Sequence, residues 1–178
     1  TIRRDFPRPS TNLLDAFRDA PTGFVTDAFN GRGSLHHAIK PLLPTMSFLG
    51  TAVTAQCSPM DNLAAMASLD FAKPGDVIVI AAAGDDFAAT IGDLWAIWAK
   101  RIGIAAIVVD GLVRDVPGLL DADIPVFARG HCPNAGYRNG PGEINLGVVC
   151  GGIAIGPGDI LVGDRDGVVA VPLAQAET

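Results

Sequence analysis

Apolar runs and amphipathic stretches alternate along the middle of the chain. Residues 77–82 and 104–109 are short, nearly uninterrupted apolar runs, which are typical of buried strands. Between them, the spacing predicts a helix over 94–101 with Leu94, Ile97 and Trp98 on one face. A strand, a helix and a strand in this order form a βαβ crossover, in which the two strands lie parallel and adjacent.

The segment before this crossover is predicted to be helical at first. Helices are expected at 10–20 and 22–29, and an alternating strand at 50–57. Asp61 is expected to cap a further helix that runs to Leu69. These elements lead into the first strand of the crossover without a long linker.

After Arg129 the predicted helices disappear and short apolar runs follow one another, separated by glycine or aspartate turns. These runs are residues 142–150, 152–155, 160–162 and 168–171. The chain therefore combines a βαβ half with a second, more antiparallel sheet, and we expect the α/β class. We expect one domain over residues 1–178, with amino-terminal helices at about 10–30 and a core at about 45–172.

Candidate chemistry gathers at the ends of the two crossover strands. Asp93 opens the predicted helix, and the pair Arg114 and Asp115 follows the second strand, with twenty residues between Asp93 and Arg114. In open α/β sheets, ligands bind outside the carboxyl ends of parallel strands. A carboxylate, a guanidinium group and a helix amino terminus are therefore predicted to converge there.

These groups suit a small anionic substrate beside a hard metal ion. Backbone N–H groups at the start of the helix, from Gly92 to Leu94 and Trp95, can receive a carboxylate. Arg114 can bind a carbonyl or enolate oxygen, and Asp115 can supply an oxygen ligand to Mg²⁺ or Mn²⁺. The spacing is equally consistent with a surface ion pair between Arg114 and Asp115 and with Asp93 as a simple helix cap.

The composition agrees with a globular domain and argues against several functional classes. The 178 residues are 49% hydrophobic and 18% charged, enough to bury a sizeable core. The net charge is −6 and the 13 Lys and Arg residues are scattered, so nucleic-acid binding is not expected. The apolar runs are too short to span a bilayer and no signal-peptide pattern opens the chain, so we expect no membrane association and a cytoplasmic location.

The cysteine and histidine residues give little indication of a metal site or a catalytic site. Cys57, Cys132 and Cys150 lack metal-ligand or redox spacing and are predicted to be buried or half-buried thiols. His36 and His37 are adjacent in a loop, where we expect them to face solvent or a neighbouring subunit.

Other acidic residues are weaker candidates. Asp85 and Asp86 follow the first crossover strand and could bind a metal ion, although consecutive acidic residues in a glycine-rich loop are more often solvated. Asp110 is expected to hold the following loop by bonds from its side chain to the backbone. Glu143 is a further candidate whose role the sequence leaves open.

The order of several motifs resembles the RraA-like family. The motifs are residues 108–111 (VVDG) leading to Arg114 and Asp115, 124–130 (IPVFARG), 157–159 (PGD), 163–164 (GD) and 166–169 (DGVV). The resemblance extends from about Pro21 to Pro172. The family contains class II pyruvate aldolases that act on 4-hydroxy-4-methyl-2-oxoglutarate and 4-carboxy-4-hydroxy-2-oxoadipate, and regulators of ribonuclease activity. No glycine-rich loop that would support a methyl-donor site is present.

The resemblance implies a swivelling β/β/α fold and a role for each candidate residue. An Asp twenty residues before Arg-Asp marks the aldolases of the family, and Asp93 has that position. The resemblance further implies that Asp115 binds the divalent metal and Arg114 the pyruvyl oxygen. Asp93 would orient metal-bound water or take part in proton transfer, and the amides of Leu94 and Trp95 would bind the pyruvate carboxylate.

The expected function is cleavage of 4-hydroxy-2-oxo acids to pyruvate, dependent on Mg²⁺ or another divalent cation such as Mn²⁺, with oxaloacetate decarboxylation as a side activity. One alternative is a non-catalytic regulator of ribonuclease activity that acts by protein binding. Another is a lyase or decarboxylase for a different 2-oxo or sugar acid.

Assembly into a homotrimer or hexamer, with the active site at the subunit boundary, is also expected. It rests on the family resemblance and on the apolar composition, with Trp95 and Trp98 expected to be exposed near the site. The family's aldolases also use an acidic residue from a carboxyl-terminal helix of the neighbouring subunit, whereas this sequence ends at Thr178, shortly after the last predicted strand. Whether this protein has such a contribution stays open.

Overall fold

A mixed β-sheet forms the centre of the protein in the computed structural model, which describes residues 1–177. Its strands are β1 (Lys40–Pro41), β2 (Phe48–Cys57), β3 (Asp76–Ile91), β4 (Ala106–Val113), β5 (Val126–His131), β6 (Gly142–Ile144), β9 (Ile160–Asp164) and β10 (Gly167–Val171). A separate small hairpin consists of β7 (Val148–Cys150) and β8 (Ile153–Ile155). The α-helices are α1 (Thr11–Asp15), α2 (Thr22–Ala28), α3 (Leu63–Ser68), α4 (Asp93–Ile102) and α5 (Val116–Asp121), and single 3₁₀ turns occupy Leu69–Phe71 and Leu173–Gln175.

The strand order combines a parallel centre with antiparallel edges. The order is β1-β5-β4-β3-β2-β9-β10, with β6 also paired to β2. Neighbours from β2 to β5 run parallel, whereas β1, β6, β9 and β10 pair antiparallel. Since β1 also contacts β10, the sheet curves until its two ends approach each other. The predicted α/β class, with a βαβ part and a more antiparallel second part, is confirmed.

The central strands are buried on both faces. Ile78 and Ile80 of β3 face a cluster covered by α3 and α4, while Val77 and Val79 face the opposite cluster. The β7–β8 hairpin covers that second cluster through Val148, Cys150 and Ile155. Strands buried on both faces lose the alternation of apolar and polar residues, which is why 77–82 reads as one apolar run.

The crossover has the predicted order, with different limits. Helix α4 follows β3 and leads to β4, and β3 pairs in parallel with β4, with Val77 opposite Ala106 and Ile80 opposite Val109. Strand β3 continues irregularly beyond the predicted 77–82 to Ile91. The predicted single strand at 142–150 is wrong, because β6 and β7 are separated and pair with different partners.

The predicted apolar face of α4 is wrong. Leu94 and Trp98 are 73% and 59% exposed. The buried stripe consists of Trp95, Ala96 and Ala99, so the expectation that Trp95 is exposed is also wrong. The two alanines let the helix axis lie close to the sheet. The larger side chains of Leu94 and Trp98 therefore face solvent.

Helix α4 begins and ends as its sequence dictates. Gly92 is the N-cap, and Gly103 closes the carboxyl end in the left-handed conformation at φ 90°. Asp93 lies in the first turn and Lys100 and Arg101 in the last, which matches the helix dipole. Among residues 1–177, no helix has the length and apolar character needed to cross a membrane.

Candidate active site

A cleft of about 250 Å³ opens where β3 and β4 end. Six residues that the sequence singled out all line it: Gly92, Asp93, Leu94, Trp95, Arg114 and Asp115. The parallel pairing of β3 with β4 explains this meeting, since both strands deliver their following residues to the same edge of the sheet. A bond of 3.0 Å from the Arg114 amide to the Ile91 carbonyl joins the two segments directly.

Gly92 leaves the space that the Arg114–Asp115 pair occupies. Its backbone is extended, at φ −137° and ψ −170°, so its conformation alone does not require glycine. A Cβ atom there would overlap Oδ2 of Asp115 and lie 3.2 Å from Cγ of Arg114. The missing side chain therefore allows the helix amino terminus to lie against both functional groups.

Asp93 is held at the first turn of α4. Its Oδ1 accepts a hydrogen bond of 2.7 Å from the amide of Leu94. The Leu94 amide, predicted to bind a substrate carboxylate, is therefore engaged by Asp93 in this structure. The amide of Trp95 lies in the first helical turn, where no preceding turn offers a carbonyl acceptor.

Asp115 has an unusual backbone conformation for a residue with a side chain. It lies in the left-handed region, at φ 56° and ψ 43°, and precedes α5, where its carbonyl accepts from the Leu119 amide at 3.0 Å. Such a conformation costs about 1 kcal/mol or more, and such residues cluster at functional sites.

The ion pair between Arg114 and Asp115 is present but open to solvent. Nε of Arg114 lies 3.2 Å from Oδ2 of Asp115, and the two side chains are 40% and 42% exposed. An exposed pair of this kind contributes about 0–1 kcal/mol to stability. The carboxylate of Asp115 is therefore partly free of its partner, and it lines the cleft.

The far wall of the cleft contains polar residues that the sequence did not indicate. Asn62 precedes α3 and Arg138 lies in the loop after β5, and both line the cleft together with Met66 and Trp98. No local motif marks them, because they reach the cleft through backbone pairing between distant segments. The backbone N–H of Asn62 donates to the backbone carbonyl of Tyr137 at 2.7 Å, which joins the two loops.

The carboxylate of Asp61 holds the backbone of this wall in place. Its Oδ1 accepts from the Leu63 amide at 2.9 Å, as expected for a residue at the start of α3, and its Oδ2 accepts from Asn139 and Gly140 at 2.6 and 2.9 Å. Burial opposes ionisation of this carboxyl, but the three backbone N–H groups outweigh that effect and lower its pKa below the ordinary value.

The weaker acidic candidates lie elsewhere or have structural partners. Asp85 accepts from the amides of Met60 and Phe87, and Asp86 is exposed. The expectation for Asp110 is wrong in detail: its carboxylate pairs with Arg129 and accepts from the Gly151 amide at 2.7 Å, so it fixes a distant turn and not its own loop. Glu143 lies on β6, outside the residues that line the cleft.

The thiols and imidazoles fit the expectations. Cys57 and Cys150 are buried and Cys132 is half-buried, and all three are free. Burial raises the pKa of Cys57 to about 11 and that of Cys150 further still, so neither is a reactive thiolate near neutral pH. His36 and His37 are exposed and stacked on each other.

The donor set in the cleft fits a weakly held hard cation. Within residues 1–177, no three His, Cys, Asp or Glu side chains lie close enough to form a closed metal site. Mg²⁺ is commonly held by one or two carboxylates while water and substrate complete its octahedron. The half-exposed carboxylate of Asp115 suits that mode of binding, and a structural zinc site does not fit these residues.

Comparison with known proteins identifies the family. The sequence model of the RraA-like family, described as Aldolase/RraA, matches residues 10–170. The chain belongs to the RraA-like family. A protein of Halalkalibacterium halodurans named "Putative 4-hydroxy-4-methyl-2-oxoglutarate aldolase" is 42% identical over 166 residues, which cover 93% of this chain and 79% of that protein.

Solved structures of RraA proteins share the fold. RraAS2 of Streptomyces coelicolor, described as an unusual member of the RNase ES inhibitor RraA protein family, superposes with a TM-score of 0.85 at 29% identity, covering 97% of this chain and 90% of that one. The RNA-processing inhibitor RraA from Thermus thermophilis gives 0.79 at 27% identity, covering 86% of this chain and 93% of that one. The RraA-like fold is therefore common to proteins named as aldolases and as inhibitors.

Proposed function

We propose that this RraA-like protein is a divalent-metal-dependent pyruvate aldolase that cleaves 4-hydroxy-2-oxo acids. The observation that carries the proposal is the meeting of Asp93, Arg114, Asp115 and the amino terminus of α4 in one cleft. The relative named as an aldolase at 42% identity supports the same class of reaction.

Asp115 would hold the divalent cation, Mg²⁺ or Mn²⁺, beside the 2-oxo acid end of the substrate. When bound, such a cation polarises the 2-oxo group and stabilises negative charge that develops on its oxygen. Arg114 donates to the same oxygen through its planar fork of N–H groups. The amide of Trp95, at the positive end of the α4 dipole, binds the C1 carboxylate.

Asp93 removes the 4-hydroxyl proton of the substrate in this scheme. Its Oδ1 is held by the Leu94 amide, which leaves Oδ2 to act on the substrate directly or through water. Removal of the 4-hydroxyl proton lets the C3–C4 bond break. Its electron pair passes into the pyruvate enolate, and C4 leaves as a carbonyl. Return of a proton to C3 gives pyruvate.

Oxaloacetate is the expected second substrate. Loss of CO₂ from oxaloacetate leaves the same pyruvate enolate, which Arg114 stabilises in the same way. This step needs no proton from a 4-hydroxyl group. Decarboxylation should therefore depend less on Asp93 than aldol cleavage does.

The alternative is a protein inhibitor that acts by binding a partner. It is supported by the similarity to the Thermus and Streptomyces RraA proteins. Asp93 argues against this alternative, because an Asp twenty residues before Arg-Asp is the feature that the resemblance assigns to the aldolases of the family.

We also propose that the protein forms a homotrimer or hexamer that closes over the cleft. Phe87, Leu94, Trp98 and Tyr137 are between 59% and 73% exposed, and Leu94 and Trp98 lie on the rim of the cleft itself. Large exposed apolar side chains of this kind mark surfaces that associate with another protein chain.

The decisive experiment is a pyruvate-release assay with a panel of 4-hydroxy-2-oxo acids and oxaloacetate, in Mg²⁺ or in EDTA. We expect turnover in Mg²⁺, its loss in EDTA, and its return when Mg²⁺ is restored. Absence of pyruvate release from every substrate, with inhibition of a ribonuclease by the same preparation, would establish the inhibitor function instead.

A further inference from the structure

A second cavity, of about 460 Å³, lies away from the cleft. It is lined by residues from the end of α1, from helix α2, from strand β10 and from the 3₁₀ turn at Leu173–Gln175. Among residues 1–177, none lines both this cavity and the cleft. Its volume is within the range of cavities that bind small organic molecules in proteins. Since the proposed reaction does not use this cavity, a ligand bound there would occupy a separate site.

The interior of this second cavity is apolar. Phe17, Phe24 and Phe29 contribute three phenyl rings to its lining. Val25 and Val171, which also line it, belong to a buried cluster of valine side chains. Phe24 is nevertheless 71% exposed, although burial of a phenyl ring of this size is favourable. Exposed apolar surface beside a cavity favours a ligand with an apolar body.

Arg32 supplies a positive charge at the same cavity. The other side chains among residues 1–177 that line it are uncharged, and the polar ones are Asn30 and Gln175. Within the part of the chain that the structure describes, Arg32 forms no ion pair. Its side chain is exposed, so the charge lies on the solvent side of the cavity. A protein with a net charge of −6 therefore has a cavity whose lining is positive.

The guanidinium group of Arg32 is held in a defined position. Its Nε donates to the Phe29 carbonyl at 3.2 Å, and its Cζ lies 4.4 Å from the centre of the Phe29 ring. The next residue, Gly33, accepts from the Ala170 amide at 2.9 Å, which fixes the loop against β10. With Nε engaged, the two Nη groups remain as a planar pair of donors, and such a pair fits the two oxygens of one carboxylate.

The distribution of polarity in the cavity is complementary to an amphipathic anion. An apolar tail would cover the phenyl rings, including the exposed ring of Phe24, while a carboxylate at the mouth would meet Arg32. Because Arg32 is open to solvent, the carboxylate would keep part of its hydration and the cost of desolvation would stay small. A neutral apolar molecule would leave the charge of Arg32 unpaired, and a small polar anion would leave the rings uncovered.

We propose that this cavity is a binding site for free monocarboxylic acids with an apolar tail. The tail lies against Phe17, Phe24 and Val171, and the carboxylate binds the two Nη groups of Arg32. The site is separate from the cleft, so this inference does not depend on the proposed function.

Octanoate and octanamide are a matched pair of ligands for the test, since they share the same alkyl tail and differ in the charge of the head group. Isothermal titration calorimetry without Mg²⁺ measures both affinities. We expect octanoate to bind about tenfold or more tightly, because a charge-assisted bidentate bond replaces a neutral one.

Two variants locate the binding site. Arg32→Gln should bring the two affinities within about twofold of each other while leaving octanamide binding unchanged, because the charge-assisted bond is lost and the apolar lining is kept. Ala28→Trp places an indole ring in the cavity from an exposed position and should abolish binding of both ligands. The control Arg165→Gln, at an exposed turn that does not line the cavity, should keep the full preference for octanoate.

Several outcomes would overturn the proposal. These are equal affinity for octanoate and octanamide in the wild-type protein, a preference that survives Arg32→Gln, and octanoate binding that survives Ala28→Trp. A second copy of the chain is the other candidate occupant, and Phe24→Glu tests it by placing a charge on the exposed rim. Light scattering should give the same mass for this variant as for the wild-type protein. A smaller mass would assign the cavity to an interface between copies and reject the carboxylate site.

Discussion

Gly118 of α5 lies directly against Asp93 of α4. A Cβ atom at Gly118 would be 2.6 Å from Cβ and from Oδ2 of Asp93, closer than nonbonded atoms approach. The glycine on one helix therefore sets the position of the proposed proton-transfer carboxylate on the other.

Gly118→Ala should displace Asp93 and lower aldol cleavage by about 100-fold, since a shift of about 1 Å in a catalytic group can cost that much. Decarboxylation of oxaloacetate should fall less, because that step takes no proton from a 4-hydroxyl group. The measurement is kcat for both substrates. Gly23→Ala is the matched control: it lies in helix α2 with no atom within 4 Å of a Cβ, and its activity should be unchanged. Equal losses for both substrates would argue against the role of Asp93.

Asp115→Asn should abolish Mg²⁺-dependent pyruvate release and weaken Mg²⁺ binding measured by calorimetry. The carboxylate is half exposed and its ion pair with Arg114 is weak, so the free energy of unfolding should change by less than about 1 kcal/mol. Asp121→Asn, on the exposed side of the following helix, serves as the control and should retain both properties. Unchanged Mg²⁺ affinity in Asp115→Asn would mean that the ion binds elsewhere.

Arg114→Lys should lower kcat by about 100-fold or more, because removal of one preorganised donor to an oxyanion typically costs that much and an ammonium group cannot reproduce the planar fork. The KM for substrate should change less than kcat, since the bond strengthens as the enolate forms. Arg101→Lys at the far end of α4 is the control. Near-normal turnover in Arg114→Lys would show that Arg114 only pairs with Asp115 and does not bind the substrate oxygen.

Asp61 should make the stability of the protein depend on acid pH. The pKa of this carboxyl is lowered in the folded state, so its stabilising effect is fully present above the unfolded value of about 3.9 and is lost as pH falls through the folded pKa. Asp61→Asn should therefore cost about 1 to 3 kcal/mol in the free energy of unfolding at pH 7, and less as the pH falls below about 4. Urea unfolding at several pH values measures the difference. A difference that does not vary with pH would show that the three N–H bonds do not depend on the charge.

Light scattering at micromolar concentration should give three or six times the 18.4 kDa chain mass. Trp98→Glu places a charge on the exposed rim of the cleft and should shift the protein toward smaller species. Lys100→Glu on the same helix is exposed but polar in the wild-type protein, and should leave the mass unchanged. A fully active monomer would contradict the proposal that the active site lies at a subunit boundary.

The sequence predicted the near half of the cleft because that half is local in the chain. Asp93 and Arg114 belong to one crossover, and the apolar runs on either side determine that its strands are parallel. Once the strands are parallel, the meeting of the two loops follows from geometry. Helix α5 was not predicted at all, since its six residues include a proline and a glycine that weaken any helical pattern.

The far half of the cleft depends on pairing that no local pattern records. Asn62 and Arg138 are joined through the bond from the Asn62 amide to Tyr137, across more than seventy positions of sequence. The prediction of the buried face of α4 was wrong for a related reason. Periodicity identifies candidate faces by side-chain size, but the alanines at positions 96 and 99 were buried because the sheet lies close at that point.

The two walls of the cleft come from separate parts of the chain, which has a consequence for how such proteins diversify. The groups proposed for bond cleavage lie on a continuous stretch from Gly92 to Asp115, whereas Asn62 and Arg138 lie in loops outside it. Under the proposed function, substitutions in those loops would change which acid is accepted without disturbing the reactive end. One scaffold can thus acquire new substrates while conserving its chemistry, and loss of the carboxylates alone would leave a folded protein free to take on a purely binding role.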